Sequence, residues 1–482
     1  MHRLFRSARW ALPLLVLALA PLPAQAHGFG QRYDLPVPLT LYLTGAALAV
    51  ALSFVVIGLF VRGAPSAHGY PTVDLTRWLP FRLLAYPASA FSVRVVSSAL
   101  LVLVVAAGLV GTTAAMGNIA PTLVWIIWWV GVAYVSALVG DVWRVLNPFD
   151  ALFRGAEGLA RQLTGEGLSL ERPYPARLGH WPAVALFALF AWFELASGRA
   201  AEPRLLALGT LGYALITWAG MAVYGREAWL RGGEAFAVAF GVLARFAPIE
   251  ARAGDGGRTR LHLRPPGAGL LAEGPVHLSL AVFVLLMLST VTYDGLTATP
   301  LWASLFTTLH DALGSVSLVL TLGMAGTAGA FVAVTGLTAA LMRLSARGGP
   351  GVGLTARTFA LSLVPIALAY HLAHYFTYLI TQGQFIIPLA SDPFGWDWNL
   401  LGSANYKVNI GLVGARFAWV LAIVAIVTGH VVAVFVAHVQ AARTYPTALA
   451  ALRSQYPLLA LMVGYTVVSL WIIAQPIMEV VG

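Results

Sequence analysis

Leu278-Ser279-Leu280-Ala281-Val282-Phe283-Val284-Leu285-Leu286-Met287-Leu288 is an apolar run interrupted by one hydroxyl. A strand with one face in water would alternate apolar and polar residues, and a barrel-forming strand would do the same across a lipid face and a lumen. This run does neither. A chain crossing hydrocarbon must satisfy its own backbone hydrogen bonds, which an uninterrupted apolar segment does as a helix. About 20 residues are needed, at about 1.5 Å of rise each. Working outward, comparable runs lie near 40–61, 95–113, 121–140, 181–197, 205–224, 277–293, 315–341, 358–380, 409–440 and 457–475. Segment 234–247 is apolar but too short to cross, as an interfacial or re-entrant helix would be. The expected fold is all-α, a polytopic transmembrane bundle of about ten spans. With 59% hydrophobic and 10% charged residues in 482, the composition excludes a soluble domain.

The chain carries a net charge of +10, but the 29 basic residues, all arginines except Lys407, are scattered between apolar runs. No basic and aromatic cluster of the kind used on nucleic acid is present, so none is expected as a partner. The basic residues instead orient the chain. Arg3, Arg6 and Arg9, an apolar stretch from Trp10 to Leu22, and Pro23-Ala24-Gln25-Ala26 follow the plan of a cleaved signal peptide, residues 1–26, leaving His27 first. With that end outside, 21 of the 29 basic residues fall in inner loops, as the positive-inside rule asks. The expected location is the cytoplasmic membrane, multi-pass, with both termini extracytoplasmic. Residues 27–248 and 277–482 then form two halves of about five spans each, joined by a cytoplasmic Arg/Gly/Pro-rich loop at 249–276. There is no cysteine, so any metal would rest on His, Asp or Glu.

Ionisable groups are costly inside a bilayer and therefore point to function. His371 and His374, in Tyr370-His371-Leu372-Ala373-His374-Tyr375, lie three apart on one helix face. They can share a metal, or each can hydrogen-bond a neighbouring helix. Asp294, Glu194, His310 and Asp311 fall at the same outer level. Two readings are open for them: interfacial caps and loop charges, or metal ligands (Glu194, His310, with His371, His374 and His27) and catalytic groups (Asp294, Asp311). The donor set suits zinc, manganese, iron or copper, and a metal-bound water would be a nucleophile near neutral pH. His27 offers an amine and an imidazole together. His430 and His438 read as packing histidines. The outer loop Gln382 to Asn405, which contains Ser391 to Asn399 with Phe394, Trp396 and Trp398, reads as an aromatic belt or as a lid over the outer cluster. No phosphate-binding loop, G-x-S-x-G elbow or H-E-x-x-H helix occurs.

Three stretches carry a family resemblance: His27-Gly28-Phe29-Gly30-Gln31-Arg32-Tyr33-Asp34-Leu35-Pro36-Val37-Pro38, Gly140-Asp141-Val142-Trp143-Arg144-Val145-Leu146-Asn147-Pro148-Phe149, and Ser391 to Trp398. Along the mature chain the sequence resembles bacterial membrane proteins of the fenitrothion hydrolase type. That resemblance implies hydrolysis of a hydrophobic, organophosphate-like ester and work with a second, related membrane subunit; it supplies no catalytic residue. The alternative is a transporter or metal-handling permease using the same groups, with helix breaks at Pro365, Gly323, Gly326 and Gly336. The lipid bilayer is a partner in either case. The topology has a direct check in a chain without cysteine: an impermeant thiol reagent added from outside is expected to label Asp397→Cys and to spare Arg258→Cys, and the reverse pattern would invert the assigned orientation.

Overall fold

In hydrocarbon an unpaired backbone amide costs several kcal/mol, so long helices with internal hydrogen bonds are the structural unit. The computed structural model describes residues 38–60, 70–254, 258–271 and 274–478, with side chains to 475. The signal-peptide assignment and His27 lie outside the described residues.

Among the described residues nine helices are long and apolar enough to cross a membrane: α1 (Leu39–Phe60), α2 (Pro87–Val110), α3 (Ile119–Leu138), α6 (Pro203–Tyr224), α8 (Leu278–Thr297), α10 (Val316–Ser345), a segment over Val352–Ser391 whose central helix is α11 (Val364–Gln382), α12 (Ala415–Thr444) and α13, which begins at Ala448. The shorter apolar helices α5 (Trp181–Leu195) and α7 (Ala235–Ala244) join them. The chain is a multi-pass membrane protein, and the bundle agrees with the ten apolar runs. α4 (Pro148–Thr164) and α9 (Pro300–Leu313) complete the helices used below. Proline stands in the first turn of α2, α4, α5, α6, α9 and α11, where its fixed φ suits a helix start and its missing N–H costs nothing.

α12 packs along α11 and α13; α13 also packs on α10; α8 packs on α10, α5 and α11; and α6 packs on α2. α1 packs on α12 and α13, beside the second half of the sequence. The break expected at Pro365 exists, because a 3-10 turn at Ala360–Leu363 precedes α11. No break occurs at Gly323, Gly326 or Gly336, since α10 runs through all three. Gly323 is there because a side chain would strike Trp302.

One feature differs from the sequence reading. Ile249–Ala253 (β2) and Thr259–Leu263 (β3) pair antiparallel, and Val73–Asp74 (β1) adds to β3, giving a three-stranded sheet where a flexible connection was expected. Arg264 fixes this hairpin to the end of α7. Its guanidinium donates to the carbonyls of Ala244 and Ala247 at 2.9 and 3.0 Å and to Glu250 Oε2 at 2.6 Å. A cation on terminal carbonyls complements the helix dipole. Burial raises the Glu250 carboxyl, but Arg264 and then Arg252 outweigh it and hold it below the usual range. A depressed carboxylate stabilises the fold above its unfolded value, about 4.3, and that contribution fades as pH falls through the lower folded value.

The motif Gly140 to Phe149 has a structural role. Trp143 Nε1 and Asn147 Nδ2 each donate to Glu234 Oε2 at 3.1 Å, Tyr213 donates to the other oxygen, and the N–H groups of Phe236 and Ala237 complete the set. Glu234 is fully buried and caps α7. Asn147 also caps α4 through the Asp150 N–H, and Asp150 pairs with Arg154 and Arg226.

The seam that fixes α11 is its contact with Gly429 of α12. A Cβ there would sit 2.6 Å from the Pro365 carbonyl oxygen and overlap Ala369, while Gly326 on α10 has open space. Small residues let helices approach closely in lipid. Gly429→Leu is expected to lower stability by about 1–3 kcal/mol or more through overpacking, and Gly326→Leu to change it little, measured by thermal unfolding in detergent. Equal effects would mean that the α11–α12 seam is not close-packed.

Candidate acid–base site

The Asp294 carboxylate, near the end of α8, meets two consecutive residues of α11. Its Oδ2 lies 2.9 Å from His374 Nε2, and the Tyr375 hydroxyl donates to the same oxygen. The two helices come together there because Gly295 has no side chain; a Cβ would strike the Tyr370 hydroxyl. Asp294 and His374 remain partly accessible, with 25% and 23% of their side chains exposed. With Asp294 ionised, both groups donate to it, so Nε2 of His374 carries a hydrogen and Nδ1 is left as the base. That tautomer is assigned from the hydrogen bond. Nδ1 accepts no hydrogen bond among the described residues.

His371, one turn earlier, takes different neighbours. Its ring lies edge-on to Trp129 and Tyr134, with centroids at 6.0 and 5.4 Å, and against Tyr375 at 4.7 Å. The Tyr134 hydroxyl donates to the carbonyls of His371 and Leu372, tying α3 to α11. The residue is half-buried overall, yet both ring nitrogens are shut off from the surface and have no partner among the described residues. Such a group calls for water or a ligand. His371 and Tyr375 line a cavity of about 30 Å³ with Trp129, Phe187, Glu194 and Thr290. At about 10–15 Å³ of such volume per water, it has room for about two.

Asp294, His374, His371 and Glu194 are thus brought to one region by α8, α11 and α5. His310 and Asp311 are not linked to it by any hydrogen bond or ion pair among the described residues. His310 stacks on Phe306 of its own helix α9, and Asp311 is exposed. His27 lies outside the described residues. His371 and His374 share a helix side and both pack on the Tyr375 ring, but they share no hydrogen-bond partner. Among the described residues no three His, Asp or Glu side chains are grouped to hold a metal ion. The contacts that the described residues do make are hydrogen bonds between groups able to give and take a proton.

Tyr375, Thr290 and Trp129 were not singled out from the sequence. Tyr375 had a signal, as the neighbour of His374; the other two look like ordinary residues of apolar helices. His430 and His438 are buried and bond to Ile426 O at 2.8 Å and to Gln455 Oε1 at 3.1 Å, in keeping with packing roles. The loop carrying Phe394, Trp396 and Trp398 is fastened to the turn after α2. Thr112 N–H donates to Phe394 O at 2.8 Å and Ile119 N–H to Pro393 O at 3.2 Å. Phe394 stacks on Trp396 at 4.5 Å, and Trp398 meets both rings edge-on at 5.7 and 5.0 Å.

Comparison with protein-family models, with curated proteins and with solved structures finds no match to this chain.

The Asp294–His374 contact predicts energetic coupling. In a double-mutant cycle with Asp294→Asn and His374→Gln, unfolding in detergent is expected to give an interaction of about 1 kcal/mol, within the range for membrane hydrogen bonds. Additive effects would show that the pair is not formed.

Proposed function

We propose that the chain is an integral membrane hydrolase of a lipophilic, organophosphate-like ester, in which Asp294 orients His374 and His374 activates a water. The observation that carries this is the single carboxylate oxygen of Asp294 engaged by His374 Nε2 and the Tyr375 hydroxyl. The carboxylate fixes the ring and stabilises it when it gains a proton. His374 Nδ1 takes a proton from water as its oxygen bonds to the phosphorus or acyl carbon of the ester. The bond to the leaving alcohol then breaks, and the imidazolium returns the proton to that oxygen. General base catalysis of this kind contributes about 10²–10⁴ in rate. The concentration of arginine in the assigned inner loops supports placing the cluster in the outward half of the cytoplasmic membrane, both termini outside. The resemblance of the sequence supports the ester class and a second, related subunit.

A different observation favours a second reading. The cavity beside His371 and Glu194 is water-sized, too small for an ester. A buried acid–base chain around water suits proton movement in a coupled permease.

Release of nitrophenol from a lipophilic nitrophenyl phosphotriester by the purified protein separates the two. Hydrolysis is expected from the wild type, reduced about 100-fold or more in His374→Gln and Asp294→Asn, and unaffected by protonophores. Full hydrolysis by either variant would remove the dyad from the mechanism. No hydrolysis, together with proton flux in liposomes that His371→Gln abolishes, would establish the permease reading.

A further inference from the structure

A second and larger cavity lies on the other side of α3. It occupies about 500 Å³ between α2, α3, α5 and α6 and is almost wholly apolar. This volume is in the range of small-molecule sites. α3 and α5 form a partition: Trp129, Phe187 and Glu194 face the water-sized cavity, whereas Trp125, Trp128, Phe190 and Phe193 line the larger chamber. We propose that this chamber binds an aromatic lipophile bearing one hydrogen-bond-accepting oxygen, and that the ligand enters sideways from the bilayer.

Three observations carry it. First, the opening is on the lipid side. Leu100, Leu189 and Ile216 line the chamber from three helices and are 40%, 57% and 46% exposed. None of the three has an Asp, Glu, Lys or Arg within four residues on its own helix, so the surface they present is of the kind that faces hydrocarbon.

Second, the chamber is kept open by residues with no packing reason to be small. On α6, a Cβ at Gly209 or Gly212 would meet nothing within 4 Å. On α2, by contrast, Gly108 is needed for contact: a Cβ there would lie 2.5 Å from the Pro203 carbonyl oxygen. Glycine lowers helix stability relative to alanine, and at Gly209 and Gly212 no close helix contact compensates. What the two glycines do is leave the space empty of side chain.

Third, the lining chemistry selects the ligand. Aromatic rings face the chamber in edge-to-face contact, Trp128 and Phe236 at 4.5 Å and Phe190 and Phe236 at 4.9 Å, an arrangement that accepts a further ring. The polar groups are almost all committed within the protein. Ser97, Thr210 and Tyr213 donate to Arg94 O, Leu206 O and Glu234, and the indole N–H groups of Trp125, Trp143 and Trp192 donate to Ala200 O, Glu234 and Thr321. Trp128 alone among these indoles has no acceptor among the described residues. The Trp128 side chain lines the chamber, and its uncommitted N–H is the donor for which one acceptor oxygen on an aromatic body is assigned. A saturated acyl chain would use neither. The inference stands apart from the hydrolase reading, since it concerns binding and not turnover.

Benzophenone is a suitable probe, being aromatic and lipophilic, with a single carbonyl oxygen, no ester bond to cleave, and the capacity to quench tryptophan fluorescence. With the full chain in detergent or nanodiscs, quenching is expected to saturate. Gly212→Phe and Gly209→Leu, which fill the chamber, are expected to weaken the apparent affinity at least tenfold without lowering the unfolding temperature. Trp128→Phe is expected to weaken it severalfold. Gly326→Phe, at an open glycine elsewhere, is expected to bind as the wild type. Linear, non-saturating quenching, or unchanged affinity in a folded chamber-filling variant, would overturn the proposal. So would loss of probe binding to dibromostearoyl phospholipid at equal mole fraction, which would make the chamber an ordinary acyl-chain contact. The two glycine variants are independent, so failure of one to fold leaves the other as the test, and a loss of binding in Gly326→Phe equal to theirs would also refute it.

Discussion

Backbone amides without water set the terms for this molecule. Because each N–H and C=O in the hydrocarbon must be satisfied within the protein, the apolar length of the chain is laid out as helices, and polar side chains are left to pair across them. The consequences run through the structure. α8 can carry Asp294 into the membrane only where α11 brings His374 and Tyr375 to meet it. Glu234 can sit fully buried only because five protein donors surround it. Arg264 serves the same need at the end of α7, where carbonyls run out of helical partners.

The same constraint explains what could be read in advance. Long apolar runs have one solution in lipid, so α1, α2, α3, α6, α8, α10, α12 and α13 were legible from composition and length. α7 was legible as a helix too short to cross. The hairpin β2–β3 was not, because Ile249-Glu250-Ala251-Arg252-Ala253 and Thr259-Arg260-Leu261-His262-Leu263 alternate over only five residues each, amid arginine and glycine that resemble a linker.

The site was legible as a list of residues and not as an arrangement. Rarity in lipid singled out Asp294, Glu194, His371 and His374. Which would meet depended on helices 80 positions apart in sequence, as for His374 and Asp294. Spacing placed His371 and His374 on one side of a helix, and that was correct as far as it went. It could not tell that α8 would face one and α3 the other. His310 and Asp311 were drawn in by level alone, and the start of α9 at Pro300 carries them on a separate helix.

The wall between the small acid–base cavity and the large apolar chamber has an uncommon build. Over Thr122–Val132, α3 is wound as a π-helix, with hydrogen bonds spanning one residue more than in an α-helix. Such a stretch behaves as an insertion absorbed without leaving the helix. A π-wound stretch carries more residues in each turn than the 3.6 of an α-helix, so it brings a different set of side chains to each face. From this one stretch Trp125 and Trp128 line the large chamber and Trp129 the small cavity. The partition between the two cavities is therefore written in the number of residues per turn as well as in their identity.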